Sequence, residues 1–125
     1  MPASIALVAH DAQKDLMVAW AQDHASVLSQ FRIVATGTTG QRLTDQAHLS
    51  VERLLSGPKG GDAQLGAMIA EGKLDALFFF IDPMSAMPHD VDVKSLLRLA
   101  ILYDTPLAVN RSSATAVLAA LPQNG

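Results

Sequence analysis

The amino-acid sequence predicts an α/β protein in which a five-stranded parallel sheet lies between two layers of helices. Five short apolar runs recur along the 125 residues, and they lack polar alternation, as expected for strands buried on both faces. An amphipathic segment follows each run, and strands that alternate with helices in this way form a parallel sheet with right-handed crossovers. The expected architecture is a three-layer α/β/α sandwich of flavodoxin-like or Rossmann-like type, in a single domain spanning residues 1–125.

Each strand is assigned from one apolar run bounded by polar or turn-forming residues. The run DALFFFI is the most apolar of the five, so we expect it at the centre of the sheet. The predicted strands are Ser4–Ala9, Arg32–Ala35, Val51–Leu55, Asp75–Ile81 and Pro106–Val109.

The helices are assigned from apolar residues at helical spacing, such as Leu65, Met68 and Ile69 at i, i+3 and i+4. Thr36–Gly40, which reads TGTTG, is predicted as a turn, and Ser56–Gly61 and Asp82–Asp90 are predicted as loops. The predicted helices are Asp11 to about Ser29, Gln41 to about Ala47, Asp62–Glu71, Val91 to about Tyr103 and Ser113–Leu121.

Composition and charge exclude several classes of function. Nine basic residues against twelve acidic ones give a formal net charge of −3, which does not favour binding to nucleic acid or to an anionic membrane surface. The absence of cysteine excludes disulfides, a thiolate nucleophile and Cys-based metal sites. No run approaches the roughly 20 apolar residues that cross a bilayer, and His10 interrupts the N-terminal apolar run, so no signal peptide is predicted. We expect a soluble cytoplasmic protein.

Unusual polar residues follow the predicted strands. In an open parallel sheet, ligands bind outside the carboxyl ends of the strands, and these ends meet at one edge. The sequence therefore predicts a binding site at this edge. The residues placed there are His10 and Asp11, Thr36–Thr39, Ser56 and Gly57, Asp82, and Asn110.

Two glycine-containing loops at this edge favour an anionic ligand. Thr36–Gly40 and Ser56–Gly61 each join a strand to a helix, and their backbone N–H groups and hydroxyls offer donors to an anion. Neither loop contains GxGxxG or GK[ST], so a single small phosphate is favoured over a dinucleotide. Lys14 lies one helical turn beyond His10, so both side chains can face one ligand. The alternative is that both loops are ordinary strand-to-helix turns capped by threonine and serine.

Two residues near the starts of predicted helices are candidates for acid–base chemistry. Asp62 follows Gly60 and Gly61, where it is either a helix N-cap or a general base beside a bound phosphate. His89 either caps the next helix or polarises a carbonyl as a neutral donor whose tautomer is fixed by Asp90 or Asp92.

The remaining acids and histidines have simpler interpretations. Asp11 and Asp82 either orient partners in the site or only form turns at strand ends. His24 and His48 are expected at the surface, away from this edge. No HxH, HExxH or similar spacing occurs, so no metal site is predicted, and no nucleophile elbow is present.

Five blocks of this sequence resemble the methylglyoxal synthase family. They occur in the family's order from Ile5 to about Asn110, and they therefore cover most of the chain. The blocks are IALVAHD (5–11), VATGTTG (34–40), LSGPKGGD (55–62), FFFIDP (78–83) and PHDVDVKSLLRLA (88–100).

The resemblance implies a carbon–oxygen lyase that converts dihydroxyacetone phosphate into methylglyoxal and inorganic phosphate without a cofactor or metal. By motif position, Asp62 is the expected general base at C3 of the substrate, and His89, with Asp92 beside it, is the expected electrophile and proton shuttle. The family is typically a homohexamer, and burial of apolar surface between subunits agrees with the apolar composition of this chain. Phosphate also inhibits the family. The substrate-binding residues implied by the resemblance are His10, Lys14, Thr36, Gly37, Thr38, Thr39, Ser56, Gly57 and His89, with Asp11 and Asp82 as accessory members of the pocket.

The chain departs from the family at its C-terminal arginine. Longer members carry a C-terminal arginine thought to reach a neighbouring subunit's site, and Arg111, the last basic residue here, is the residue that would substitute for it in part. One other function stays open beside the lyase, namely a non-catalytic regulatory module of the same fold. Such a module needs the phosphate loops but not Asp62 and His89. A receiver-like signalling domain is excluded, because its third strand ends in aspartate and its fifth in lysine, where this chain has Ser56 and Asn110.

Overall fold

The computed structural model describes residues 2–84 and 93–122 of the chain. Its five parallel strands form one sheet in the order β3-β2-β1-β4-β5. The strands are β1 (Ser4–Ala9), β2 (Arg32–Thr36), β3 (Val51–Leu54), β4 (Ala76–Phe80) and β5 (Leu107–Ala108). The helices are α1 (Lys14–Asp23), α2 (Ala25–Leu28), α3 (Gly37–Ala47), α4 (Gly61–Ala70), α5 (Val93–Leu102) and α6 (Arg111–Ala120), with 3-10 turns at Asp11–Gln13 and Gly57–Lys59.

The predicted three-layer α/β sandwich is confirmed, with the Rossmann-like strand order. Alternate residues of β1 enter two separate cores, since Ile5 and Leu7 pack on one face of the sheet while Ala6 and Val8 pack on the other. The first core includes buried residues of α1, α2, α3 and α6, and the second includes those of α4 and α5. Burial on both faces explains why these strands read as continuous apolar runs.

The middle strand is β1, so the prediction that the 75–81 run lies at the centre is wrong. β4 is its neighbour, with Ala6 of β1 opposite Leu77 of β4. All five residues of β4 are buried. An apolar sequence indicates that a strand is buried on both faces. Because β1 and β4 are both buried in this way, their apolar sequences do not show which of them is the middle strand.

Three helices also differ in their boundaries from the prediction, and one of them is α6, which begins at Arg111, two residues before the predicted Ser113. The segment predicted as one helix to Ser29 begins with a 3-10 turn and breaks at His24, whose φ of −116° and ψ of 18° are not helical. No glycine or proline marks that break. The predicted turn at Thr36–Gly40 is largely the first turn of α3, which begins at Gly37. Leu43 and Ala47 bury the later part of α3 against the sheet, and this packing outweighs the low helix propensity of Gly and Thr.

Candidate functional site

Among the described residues, His10 and Asp82, which follow β1 and β4, lie where the strand order reverses. β1 lies between β2, which follows it in the chain, and β4, and the crevice at such a reversal is the usual ligand site of an open α/β sheet. His10 follows β1 and Ile81 follows β4, and the two strand ends are joined by the hydrogen bond from the His10 N–H to the Phe80 carbonyl at 3.1 Å. The carboxyl edge of β1 and β4 is therefore the floor of the candidate site.

A lysine connects the first two strand–helix units at this edge. Lys14, the first residue of α1, donates from Nζ to Thr38 Oγ1 at 2.7 Å and to Asp11 Oδ1 at 2.5 Å. An ammonium group has three N–H donors, so these two bonds leave one for a ligand. We call Lys14, Thr36, Gly37, Thr38, Thr39, Ser56 and Gly57 together the cradle.

The first turn of α3 contains an unused hydroxyl. Thr39 is only 2% exposed, and its Oγ1 has no hydrogen-bond partner within the described part of the chain. The N-cap residue of α3, Thr36, makes no side-chain capping bond. By contrast, the N-terminus of α6 is closed by a reciprocal capping box between Asn110 and Ser113. The start of α3 thus keeps both its positive dipole end and a buried donor for an anion.

The loop after β3 closes the other side of the cradle. Gly37 has φ +26°, and a Cβ built on it would lie 3.0 Å from Cα of Ser56, so the two loops are in direct contact. The Ser56 carbonyl accepts from the N–H groups of Lys59 and Gly61 at 3.0 and 2.9 Å. These bonds turn the chain from the end of β3 into α4, and they hold Ser56 beside the start of α3.

Asp62 is the second residue of α4, directly behind this loop. The N-cap position is Gly60, so Asp62 is not the N-cap of its helix. Its side chain is half-buried, and Oδ1 accepts from the Ala63 N–H at 2.9 Å. A half-buried carboxylate has the chemistry of a general base.

His10 is buried, with 4% exposure, and a backbone N–H determines which of its ring nitrogens acts as an acceptor. Nδ1 accepts from the Asp82 N–H at 2.8 Å, and the ring lies edge-on to Phe79 with centroids 5.1 Å apart. Because Nδ1 uses its lone pair, the neutral ring carries its proton on Nε2. His10 therefore presents a single N–H donor. The Asp82 carboxylate itself accepts from the Met84 N–H at 3.0 Å, which forms a turn at the end of the described segment.

Comparison with known proteins now assigns the chain to a family. Residues 16–109 match the family model described as the MGS-like domain. The chain is 57% identical over 118 residues to a methylglyoxal synthase from Brucella anthropi, which covers 94% of each chain. It is 60% identical over 111 residues to one from Agrobacterium fabrum, covering 88% of this chain and 87% of the relative. This chain belongs to the methylglyoxal synthase family.

A solved structure agrees with this assignment. The crystal structure of methylglyoxal synthase from Elizabethkingia anophelis NUHP1 matches with a TM-score of 0.92 at 46% identity, and the match covers 97% of this chain and 79% of that one. The family, the fold and the lyase class predicted from the sequence are thereby confirmed. This chain is a lyase of the methylglyoxal synthase family.

Not every residue expected in a methylglyoxal synthase site is placed. His89 and Asp92 lie outside the described residues, as does the alternative partner Asp90. Of the two histidines expected at the surface, His48 is exposed and ends α3 with φ 56°, whereas His24 is half-buried against Trp20, at 4.9 Å between ring centroids. Neither contributes to the cradle.

Arg111, the residue suggested as a substitute for the family's C-terminal arginine, begins α6. It lines a surface groove with Trp20, Asp23 and His24, and no cradle residue lines that groove. The geometry therefore does not favour contact between Arg111 and the cradle of its own chain.

Within residues 2–84 and 93–122, no group of three His, Cys, Asp or Glu side chains is arranged to hold a metal ion, and no helix is long and apolar enough to cross a membrane.

Sequence reasoning missed Gln64, whose Oε1 accepts from the Leu55 N–H at 2.8 Å. An exposed glutamine in the second turn of a helix carries no signal that would have identified it.

Proposed function

We propose that this chain converts dihydroxyacetone phosphate into methylglyoxal and inorganic phosphate, and that the cradle holds the phosphate group. The observation that carries the proposal is the buried Thr39 hydroxyl, which lacks a partner in the described residues at the uncapped start of α3. A buried polar group without a partner costs about 1–3 kcal/mol, and a phosphate oxygen would relieve that cost. Lys14 Nζ, which already donates to Thr38 Oγ1 at 2.7 Å, has one further N–H that adds a charge-assisted donor to the same ligand.

The reaction begins with proton removal from C3 of the substrate. Asp62 takes this proton, and the electron pair of the C3–H bond forms the C2–C3 double bond of an enediolate. The negative charge develops on the carbonyl oxygen at C2, where a neutral N–H donor stabilises it. Two histidines are assigned to this task in the proposal: His10, through Nε2, and His89, by its position in the family motif.

Phosphate then leaves from C1. The C1–O bond breaks as the electrons of the C2–C3 double bond shift to form a C1–C2 double bond. The lone pair of the C3 oxygen forms the aldehyde carbonyl, and the C3 hydroxyl proton passes to the leaving phosphate, which yields hydrogen phosphate and the enolate of methylglyoxal. The enolate takes up a proton on C1 to give methylglyoxal. This elimination requires the C1–O bond to lie out of the enediolate plane, so the cradle must fix the phosphate in that orientation. Thr38, Thr39 and Ser56 are the hydroxyl donors assigned to it.

The decisive experiment follows both products at once. Purified protein is mixed with dihydroxyacetone phosphate without added metal or cofactor, and methylglyoxal and phosphate are measured together. The expected result is equal release of the two, with at least about a 100-fold lower rate in Asp62→Asn, since a positioned base contributes about 10²–10⁴-fold. Asp23→Asn, a carboxylate at the far end of α1, is the control that retains activity.

The alternative function predicts a different result. If the chain is a regulatory module, neither product is released, while phosphate still raises the melting temperature. Wild-type rates in Asp62→Asn would instead show that the base has been wrongly assigned.

We also propose that the chain assembles as a homo-oligomer, with six copies as the family resemblance implies, and that product phosphate inhibits it. Exposed apolar side chains support the assembly, since Ile101 and Leu102 are 75% and 69% exposed at the end of α5. Light scattering during size-exclusion chromatography gives the copy number. A monomer at micromolar concentration would contradict this part of the proposal.

A further inference from the structure

We propose that Gln64 is a positioning residue that holds the Ser56 loop and Asp62 at a fixed separation. This inference rests on the proposed function. Gln64 Oε1 accepts from the Leu55 N–H at 2.8 Å, and Leu55 is the first residue after β3. The Leu55 side chain is 51% exposed, so packing of that side chain does not hold the segment in place. The hydrogen bond from the Leu55 N–H to Gln64 therefore holds this segment in place, whereas contacts with the apolar core do not.

The segment held by Gln64 touches the starts of two helices. A Cβ built on Gly61 would lie 2.1 Å from the Leu55 carbonyl oxygen, so the first residue of α4 abuts this peptide. Ser56 is in contact with Gly37 at the start of α3, at 3.0 Å from a Cβ built there. A shift of the Leu55–Ser56 peptide would therefore change the position of the cradle relative to α4.

Gln64 and Asp62 lie on the same helix, two residues apart. The bond from the Gln64 side chain to the end of β3 thus connects the helix of the general base to the loop that binds phosphate. The substrate spans both, with its phosphate on C1 and the abstracted proton on C3. Since a displacement of about 1 Å is enough to reduce catalysis by about 10²-fold, the separation of these two elements controls turnover.

The test compares two substitutions at position 64 with a matched one elsewhere. Gln64→Met has a similar length but only a weakly accepting thioether, whereas Gln64→Glu keeps a carboxylate oxygen for the Leu55 N–H. The control is Gln22→Met, because Gln22 is another glutamine whose side chain bonds to backbone, donating to the Gln46 carbonyl at 2.8 Å away from the cradle. For each protein, kcat, KM, the urea midpoint and the phosphate-induced rise in melting temperature are measured.

The expected result is about a tenfold fall in kcat for Gln64→Met. This is less than the roughly 10²-fold of a displacement of about 1 Å, because the bond from the Gly61 N–H to the Ser56 carbonyl still holds the loop to α4. KM and the phosphate-induced rise change less than threefold, and Gln64→Glu recovers most of the lost turnover. Gln22→Met keeps wild-type kcat. A purely structural role for Gln64 would lower the urea midpoint and leave kcat intact.

Two outcomes overturn the inference: unchanged kcat in Gln64→Met, or a Gln64→Glu protein as impaired as Gln64→Met. Failure of the proposed function is distinguishable, because the wild-type protein would then release neither product, whatever stands at position 64.

Discussion

The approach of α4 to the end of β3 gives the sharpest test of how the site is built. Gly61, the residue before Asp62, has no room for a methyl group: its added Cβ would meet the Leu55 carbonyl oxygen at 2.1 Å and the Ser56 carbonyl oxygen at 3.0 Å. Both neighbours are backbone atoms, so a side chain cannot rotate away to relieve the contact. Gly61→Ala therefore forces α4 and the loop apart.

The size of the effect follows from the geometry. The contact at 2.1 Å is about 0.9 Å short of the 3.0 Å that real Cβ atoms keep, so the start of α4 must move by nearly that amount. Overpacking of this kind costs about 1–3 kcal/mol in unfolding free energy. A displacement near 1 Å at the reacting groups lowers turnover by about 10²-fold. Because Asp62 is the next residue, we expect Gly61→Ala to lose roughly that factor in kcat.

A matched control lies in the same helix. At Gly66, an added Cβ meets only the end of the Leu99 side chain, at 3.0 Å, and this flexible group can give way. Helix propensity favours alanine over glycine by about 1 kcal/mol, so Gly66→Ala is expected to be close to neutral in stability and to keep its kcat. Urea unfolding and steady-state kinetics of the two variants make the comparison. Equal stability and equal kcat in Gly61→Ala and Gly66→Ala would refute the reasoning.

Three further substitutions test individual side chains of the site. Thr39→Val removes a buried hydroxyl that is unpaired within the described residues, so it should raise the unfolding free energy by about 1 kcal/mol. It should also raise KM about tenfold, and a fall in stability would contradict the expectation. Lys14→Met should raise KM about 10- to 100-fold through loss of a charged donor, whereas Lys73→Met, which removes a surface pair with Glu71, should leave KM unchanged. His10→Asn keeps an acceptor for the Asp82 N–H but lacks the Nε2 donor, so kcat should fall about 100-fold with the fold intact, as urea unfolding would show. His10→Asn with wild-type kcat would refute that role.

The sequence predicted the fold because local and global signals agree over most of the chain. β1 was predicted with its observed bounds, Ser4–Ala9, since six residues without polar alternation match a strand buried on both faces. The cradle could be predicted for a similar reason. Its members follow strand ends, and the carboxyl ends of parallel strands share one edge of the sheet.

The parts that were not predicted depend on contacts distant in sequence. The start of α3 at Gly37 depends on contact with Ser56 and on packing of the later turns, and neither is encoded in the TGTTG motif itself. Gln64 bonds to a residue in another element, so its role depends on the three-dimensional approach of α4 to β3. The tautomer of His10 is set by a backbone N–H 72 positions away. In each case the sequence shows the group but not its partner.

The starts of α3 and α4 differ from the start of α6 in how their backbone N–H groups are satisfied. At α6, where the chain offers no cradle, Asn110 and Ser113 satisfy the exposed N–H groups within the protein. At α3 and α4 no side-chain cap is present, and Thr39 adds an unpaired hydroxyl at 2% exposure. An anion that filled the cradle would give the Thr39 hydroxyl the partner it lacks among the described residues, and it would stabilise the folded state. Binding then stabilises the folded state by mass action, about 2.7 kcal/mol at 100 times the dissociation constant. Thr39→Val separates the two effects, because it stabilises the free protein and weakens the gain on phosphate binding in the same molecule.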